Sequence, residues 1–419
     1  MNVSKNRLGM SRNLVSAREH SGIPGQRRSI LSETNPVIRL PGTHRARLPE
    51  ESWAIIRPLL DRYGVTRVAD VTRFDVLGIP VVLAIRPLAR TFTISHGKGH
   101  TPLLARLSAV MESVELWHAE NACPPPVIRN TSAEDLRLPY ELGELQQYRG
   151  SLLSDRTPLD WVEASTVAGD IRCPVPRHYV QLGAEVVDTW SPPMLRPSSN
   201  GLASGNNLAE AALHGLYEMI ERDSVASLRS VPAEGRDYLD LGTVDNNGVG
   251  DLLGMIRKAD MHVEVLVVRG RWPFSTFVAY LWDGSRRVSA GSGVHSDPAI
   301  GLSRALTEAA QSRLVAITGA HDDLSLAWRG AVEVRPSDVR VFRPTMDWTT
   351  ARESGPSFRD LTAELVWLDD LVRSTTGFAP LYVDLSTHDA ISVVKVVAAG
   401  LSFEARHSIP RNASVGVGR

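Results

Sequence analysis

The sequence has few cysteines, no excess of one charge and no long apolar run, and each shortage excludes something. Two cysteines, Cys123 and Cys173, cannot build a disulfide scaffold or a cysteine-rich zinc or iron–sulfur module. Both read as free, reduced, structural thiols. Lysine plus arginine number 46 and aspartate plus glutamate 47, a formal net charge of −1. So balanced a chain is not built to coat nucleic acid or a membrane surface. No apolar run approaches the roughly 20 residues of a membrane span. The N-terminus lacks the basic-then-apolar plan of a secretory signal, so a cytoplasmic location is expected. With 419 residues, 43% of them hydrophobic and 22% charged, the chain is long enough for one large globular domain or two ordinary ones.

What is present divides near Leu48. Residues 1–48 are rich in Ser, Asn, Gly and Arg, with Arg27, Arg28, Arg39, Arg45 and Arg47 set against Glu19 and Glu33. Without hydrophobic periodicity such a stretch reads as a mobile basic arm. Residues 49–419 read as one globular domain. Trp53, Ile55, Ile56, Leu59 and Leu60 mark an amphipathic helix stopping near Gly64. Further helices are expected at 103–120, 208–227, 249–258, 298–318 and 358–373. Strands are expected at 65–71, 80–85, 91–94, 161–164, 179–182, 262–268, 276–282, 287–290, 381–385 and 393–397. Residues 123–193 read as irregular and proline-rich. Strands and helices alternate without strict βαβ order, which predicts an α+β fold of mixed sheets packed with helices.

One pattern recurs three times. Ser95-His96-Gly97-Lys98-Gly99 precedes a helix with Ser108, Glu112 and Glu115. Residues 199–206, Gly/Ser-rich and ending in Asn206, precede a helix with Glu210, Glu218, Glu221 and Arg222. Ser289-Ala290-Gly291-Ser292-Gly293 precedes a helix with Arg304, Glu308 and Gln311. Each reads as a Gly/Ser turn running into a helix, where glycine permits close backbone approach and a helix N-terminus offers N–H groups to an anion. At about 100° per residue, Ser108, Glu112 and Glu115 fall within roughly 60° of arc, as do Arg304, Glu308 and Gln311. Glu210 and Glu221 lie about 20° apart, with Glu218 about 60° further round. These stripes contain no lysine to pair with the acids, as a solvated face would. Glu and Gln oxygens suit Mg²⁺ better than zinc. Magnesium usually travels with phosphate, for which Lys98 and Arg222 are suitable partners. No Walker-type phosphate loop or kinase signature is present, so the residues point to an unconventional nucleotide site. His96, His118, His214 and His295 lie near the blocks; any of them can serve as a base, though packing is the commoner role of such a residue.

At these residues the chain resembles the YcaO family. Its segments 95–115, 199–226 and 291–313 are similar to that family's three ATP-site blocks, in order. The block ending Glu218, Glu221-Arg222-Asp223 is the most specific. The resemblance runs from about Pro49 to the C-terminus and implies a YcaO-like ATP-binding fold. It implies an enzyme that uses ATP and Mg²⁺ to phosphorylate a backbone amide of a ribosomally made precursor peptide. A neighbouring side chain then gives an azoline, external sulfide a thioamide, and an amine an amidine. By motif, Glu112, Glu115, Glu210 and Glu221 resemble Mg²⁺ ligands. Lys98, Ser108, Asn206, Glu218, Arg222, Arg304, Glu308 and Gln311 resemble ATP-binding positions. Azoline formers often end in alternating prolines, whereas residues 408–419 contain one, Pro410. Residues 45–99 look instead like members that work with a TfuA protein, a group tied to thioamides, although Ala399-Gly400-Leu401-Ser402 departs from the usual Pro-Gly-Leu-Glu. The expectation is thioamide formation with a TfuA-like partner, possible homodimerisation, and no binding of nucleic acid or membrane. The alternatives are an azoline-forming cyclodehydratase and a non-catalytic ATP-binding scaffold.

Overall fold

The structure, a computed structural model, describes residues 30–403 apart from 33, 149, 170, 184–193, 233–234, 284–287, 321–341 and 353–354. Its helices are α1 (Pro49–Ile56), α2 (Pro102–Asn121), α3 (Arg177–Val180), α4 (Leu208–Ser227), α5 (Asn247–Lys258), α6 (Pro298–Thr318), α7 (Trp348–Ala351) and α8 (Leu361–Thr376). Caps explain where the long ones begin. The side chains of Thr101, Asn207 and Asp297 accept the N–H groups of Leu104, Glu210 and Ala299, and Pro102 and Pro298 preset the first turn. Each cap takes one N–H of its helix.

Strands β1 (Ile38–Leu40) and β2 (Thr43–Arg45) form a hairpin. An antiparallel sheet contains β3 (Arg67–Asp70), β4 (Val81–Ile85) and β5 (Ile94–Lys98) in that order. The largest sheet runs β6 (Ile128–Thr131), β7 (Leu159–Thr166), β14 (Leu381–Asp384), β15 (Ser392–Val397), β9 (Leu202–Gly205), with β8 (Arg172–Pro176) against β7. The third runs β10 (Asp237–Tyr238), β11 (His262–Val268), β12 (Thr276–Trp282), β13 (Ser289–Val294). The mixed α+β architecture expected from the sequence is what forms.

β5, β9 and β13 are edge strands, and each is followed after two or three residues by a long helix. These are the Gly/Ser stretches expected as turns; they are strands. The helix folds back on its own edge strand so closely that only glycine fits. A Cβ on Gly97 would lie 2.1 Å from the Ala105 carbonyl oxygen and the Ala109 nitrogen. One on Gly205 would lie 2.5 Å from the Ala211 nitrogen, and one on Gly291 2.3 Å from the Ala309 nitrogen. The glycines serve strand–helix contact, and the helix covers an edge that would otherwise stand open.

The apolar faces then build separate cores. Ala105, Ala109 and Val114 of α2 pack with Val82, Ala84, Val162 and Val393. Leu213, Leu216 and Ile220 of α4 pack with Val394, Val396 and Leu365. Leu302, Leu306 and Ala309 of α6 pack with Phe277 and Ala279. Each fully buried Val, Leu, Ile or Phe side chain among them contributes about 1.5–3 kcal/mol.

Other expectations shift. The strand expected at 91–94 shares only Ile94 with β5, and 179–182 overlaps the short helix α3. β1, β2, β6, β8 and β10 were not anticipated. The arm expected to reach Leu48 is corrected at its C-terminal end, because residues 34–48 form a packed strap. Asn35 donates to Thr362 Oγ1 at 2.8 Å and accepts from Asn207 at 2.7 Å. Its carbonyl takes the Leu361 N–H at 2.8 Å, and the Val37 N–H reaches the Arg359 carbonyl at 3.0 Å. Polar anchors of this kind leave no hydrophobic period to detect. Residues 1–29 and the tail 404–419, with Pro410, lie outside the described residues. Among the described residues no helix is long and apolar enough to cross a membrane.

Candidate functional site

A cavity of about 430 Å³ opens where β5, β9, α2, α4, α6 and the strap meet. Lys98, Ser108, Glu112, Glu115, Asn206, Glu210, Glu218, Glu221, Arg222, Arg304, Glu308 and Gln311 all line it. Every site residue expected from the sequence is thus gathered on one surface.

The carboxylates are oriented by donors from other parts of the chain. Glu112 Oε2 accepts the His96 N–H of β5 at 2.8 Å. Glu115 Oε1 accepts the N–H and hydroxyl of Ser204 in β9, at 2.9 and 2.6 Å. Glu218 Oε2 accepts the Gly201 N–H at 3.0 Å, and Glu210 Oε2 the Ala46 N–H of the strap at 2.9 Å. Glu221 Oε1 accepts the Ser292 hydroxyl of β13 at 2.6 Å. An edge strand leaves a row of N–H groups without ladder partners. At β5 and β9 these groups hold acids of α2 in place instead of cradling an anion. Glu112, Glu115 and Glu221 each keep a second oxygen with no hydrogen-bond partner among the described residues. Glu210 differs, for Asn206 Nδ2 meets both its oxygens, at 3.2 and 2.9 Å.

The expectation of acids without basic partners is corrected. Lys98 Nζ donates to Glu308 Oε2 at 3.0 Å. Arg222 reaches Glu218 at 3.3 Å and Glu221 at 3.6 Å. Burial opposes the charge of Arg222, but Glu221, Glu218 and Glu308 outweigh it and raise its pKa. For Glu308 burial likewise opposes the charged form, and Lys98 and Arg222 hold the carboxyl below its ordinary range. Glu112 and Glu115 have no cation within hydrogen-bond distance among the described residues, and Lys98 only partly offsets the burial of Glu112. Burial pushes Glu112 up to about 7, against the His96 N–H, and Glu115 up to about 8, against the Ser204 hydroxyl. A cation placed between them would remove that penalty.

The residues fit Mg²⁺ with a phosphorylated ligand. Three carboxylates hold a free oxygen, the buried Gln311 Oε1 has no partner, and Arg304 forms no hydrogen bond or ion pair with a described residue. All-oxygen donors beside unpaired guanidinium match a hard cation and its phosphates.

The histidines divide. His118 is held between the Val114 carbonyl at 2.7 Å and Thr387 Oγ1 at 2.9 Å, and His295 stacks on Tyr217 with ring centroids 4.6 Å apart. Both are packing residues. His96 meets the Ala320 carbonyl at 2.8 Å. His214 lines the cavity and accepts from Arg45. Burial, then Arg45, Arg304 and His295, keep His214 neutral, with a pKa well below the usual imidazole value. The thiols are free, and burial pushes Cys173 up to about 11. Sequence reasoning missed the strap residues Gly42, Thr43, Arg45 and Arg47, which also line the cavity. Pro41-Gly42, a turn dipeptide, was the available signal.

The sequence model of one family, described as YcaO cyclodehydratase, ATP- and Mg²⁺-binding, matches residues 96–402. This chain belongs to the YcaO family. ATP and Mg²⁺ are accordingly its cofactors. A YcaO relative, an uncharacterised protein of Mycobacterium tuberculosis, is 38% identical over 373 residues, covering 86% of this chain and 83% of its own. An uncharacterised protein from the tfuA 3′ region of Rhizobium leguminosarum bv. trifolii is 32% identical over 389 residues, covering 86% and 89%. Among solved structures, the YcaO of Methanopyrus kandleri bound with AMPPCP and Mg²⁺ superposes with a TM-score of 0.67 at 23% identity, over 88% of this chain and 95% of that one. A heterocyclase in complex with substrate and cofactor gives 0.72 at 22% identity, over 88% of this chain. This chain spans about half, 54%, of that heterocyclase. At these identities the two structures establish the fold.

Proposed function

We propose that this YcaO protein activates a backbone amide of a ribosomally made peptide by ATP-dependent phosphorylation, for thioamide formation with a TfuA-like partner, in the cytoplasm. One observation carries the reading: Glu112, Glu115 and Glu221 are each pinned by one oxygen and open at the other, around one cavity. In the reaction the amide oxygen takes the terminal phosphoryl group of ATP, ADP leaves, and sulfide displaces phosphate from the activated carbon. Mg²⁺, when bound, neutralises charge on the transferred group.

The chain's own residues supply position and charge. Glu112, Glu115 and Glu221 hold the metal, with Glu210 beside them. Lys98, Ser108, Asn206, Glu218, Arg222, Arg304, Glu308 and Gln311 hold the nucleotide. An amide oxygen is a weak nucleophile, so fixing its approach must account for much of the rate. Ile55, Phe92, Leu107 and Met111 form an apolar wall of the same cavity, suited to the peptide or the base. The thioamide reading is supported by the relative from the tfuA 3′ region. Azoline formation is favoured instead by the cyclodehydratase description of the family and the likeness to a heterocyclase.

Accurate-mass spectrometry decides. The neighbouring precursor peptide is expressed with this protein and the TfuA-like partner, with a Glu221→Ala culture as control. Exchange of one oxygen for sulfur, absent from the control, is the expected outcome. Loss of one water moves the reading to an azoline. An unaltered peptide refutes both and leaves an ATP-binding scaffold.

A further inference from the structure

We infer that Lys395, which does not line the cavity, is a positioning residue for the nucleotide site: its ammonium fixes the turn at residues 198–201, and the turn fixes Glu218. The inference rests on the ATP reading above and extends it to a side chain that touches no ligand.

β15 reads Ser-Val-Val-Lys-Val-Val, and all six residues are buried. Lys395 is 1% exposed there, where an ammonium is tolerated only if its donors are engaged. It forms no ion pair with a described residue. Its Nζ donates to the carbonyls of Ser198 and Asn200, both at 2.6 Å, and stands 5.3 Å from the centre of the Tyr179 ring. Short charge-assisted bonds and an aromatic face take the place of a carboxylate. Burial pushes its pKa down to about 8, against the attraction of Glu218, so the charge is kept at neutral pH.

The whole turn is held through its carbonyls. Lys395 takes those of Ser198 and Asn200, the Leu202 N–H takes that of Ser199 at 2.8 Å, and the Val396 N–H takes that of Gly201 at 2.7 Å. Two consecutive residues of β15 thus engage three of the four. Gly201 has φ +74°, and a Cβ there would lie 2.5 Å from the Val396 carbonyl oxygen. Held in this way, the turn aims the Gly201 N–H at Glu218 Oε2, 3.0 Å away. The other oxygen of Glu218 receives Arg222 at 3.3 Å, and Arg222 in turn reaches Glu221 at 3.6 Å. The placement of two proposed nucleotide-binding residues therefore begins at Lys395.

Packing alone does not call for a lysine at this position, since its neighbours in the strand are valines. Two carbonyl dipoles that converge on one point repel each other unless a donor with at least two N–H groups stands between them. An ammonium has three, and its charge also attracts Glu218 across the turn.

The test is binding of AMPPCP with Mg²⁺ to the full-length protein, measured by calorimetry at pH 7. Lys395→Met keeps the apolar stem and removes the donors. It should weaken binding roughly 10-fold at unchanged stoichiometry, because every molecule carries a misplaced Glu218. A lysine needed only for folding would instead lower the fraction of protein that binds and leave the Kd of the remainder unaltered. That outcome overturns the inference, as does an unchanged Kd at full stoichiometry. Once Glu218→Ala has removed the acceptor, adding Lys395→Met should cost less than about a further twofold; additive losses contradict the route through Glu218. If Glu218→Ala binds too weakly to measure, the split between affinity and stoichiometry decides. Should thermal melts show Lys395→Met unfolded, Lys395→Gln, which can serve one of the two carbonyls, takes its place. Failure of both variants to fold would make the lysine purely structural. A wild-type protein that does not bind AMPPCP refutes the ATP reading itself.

Discussion

Glu112 and Glu115 show at the residue scale how burial and function are linked. Burial raises both, to about 7 and about 8. The folded chain therefore keeps protons that the unfolded chain releases near the ordinary carboxylate range, and the contribution of these two acids to stability falls as pH rises from there through 7 to 8. Measured against a Glu112→Gln, Glu115→Gln double variant, which keeps every buried histidine, the metal-free wild type should lose melting temperature between pH 6 and pH 8, and Mg²⁺ should raise the wild-type melting temperature more at pH 8. Equal increments at the two pH values would contradict this. Glu112→Gln combined with Glu115→Gln should flatten the pH dependence. At Glu221, replacement by Ala removes an open oxygen and its Ser292 anchor. Steady-state phosphate release should drop at least about 100-fold with the melting curve little changed. Near-normal turnover would place the metal elsewhere. The acids themselves were legible in the sequence because helical spacing puts them on one face. Their anchors were not, since a donor such as Ser204 lies 89 positions from Glu115.

At the scale of elements, the edge-strand glycines carry a sharp prediction. The atoms that a Gly97 Cβ would meet are backbone atoms of α2, which cannot rotate away. Gly97→Ala should cost about 3 kcal/mol or more, read as a lowered urea midpoint. Gly254 in α5 has nothing within 4 Å of its Cβ position. Gly254→Ala should stabilise by roughly 0.5–1 kcal/mol on the same assay, through helix propensity. The long helices were readable because apolar period and caps agree over twenty residues or so. The edge strands were taken for turns because Gly and Ser have poor strand propensity, and the reason for each glycine is a helix that has not yet folded back. β8 escaped notice for a related reason: it contains Pro174 and Pro176, which a strand tolerates at an edge, and β8 pairs only with β7.

For the whole molecule, the decisive fact is that the edges of three sheets converge on one cavity, β5 and β9 by lining it and β13 by anchoring Glu221 through Ser292. Lys98 and Glu308, 210 positions apart, meet at 3.0 Å. Asp223, next to the site arginine Arg222, accepts from Arg271 at 2.8 Å, Trp272 at 3.2 Å and the Ser402 N–H at 2.9 Å. This ties the segment where the family's terminal motif departs back to α4. Because the proposed metal ligands lie on α2 and α4 and proposed nucleotide-binding residues on α6, Mg²⁺ with AMPPCP should stabilise all three units together. At about 100 times Kd the gain is about 2.7 kcal/mol. Calorimetry should show one unfolding transition moving upward; a split scan in which only one component moves would contradict the shared site.

The order of the three blocks, the acidic stripes on their helices, the α+β class and the family itself follow from residue type and spacing, which are properties of the chain. Tertiary structure alone settles which oxygen of each acid is pinned, which cations are already paired, and that Arg45 lines the cavity. Those outcomes depend on N–H groups left open at sheet edges and on charges hundreds of residues apart. Local periodicity holds no record of what will lie across an edge once the sheets assemble.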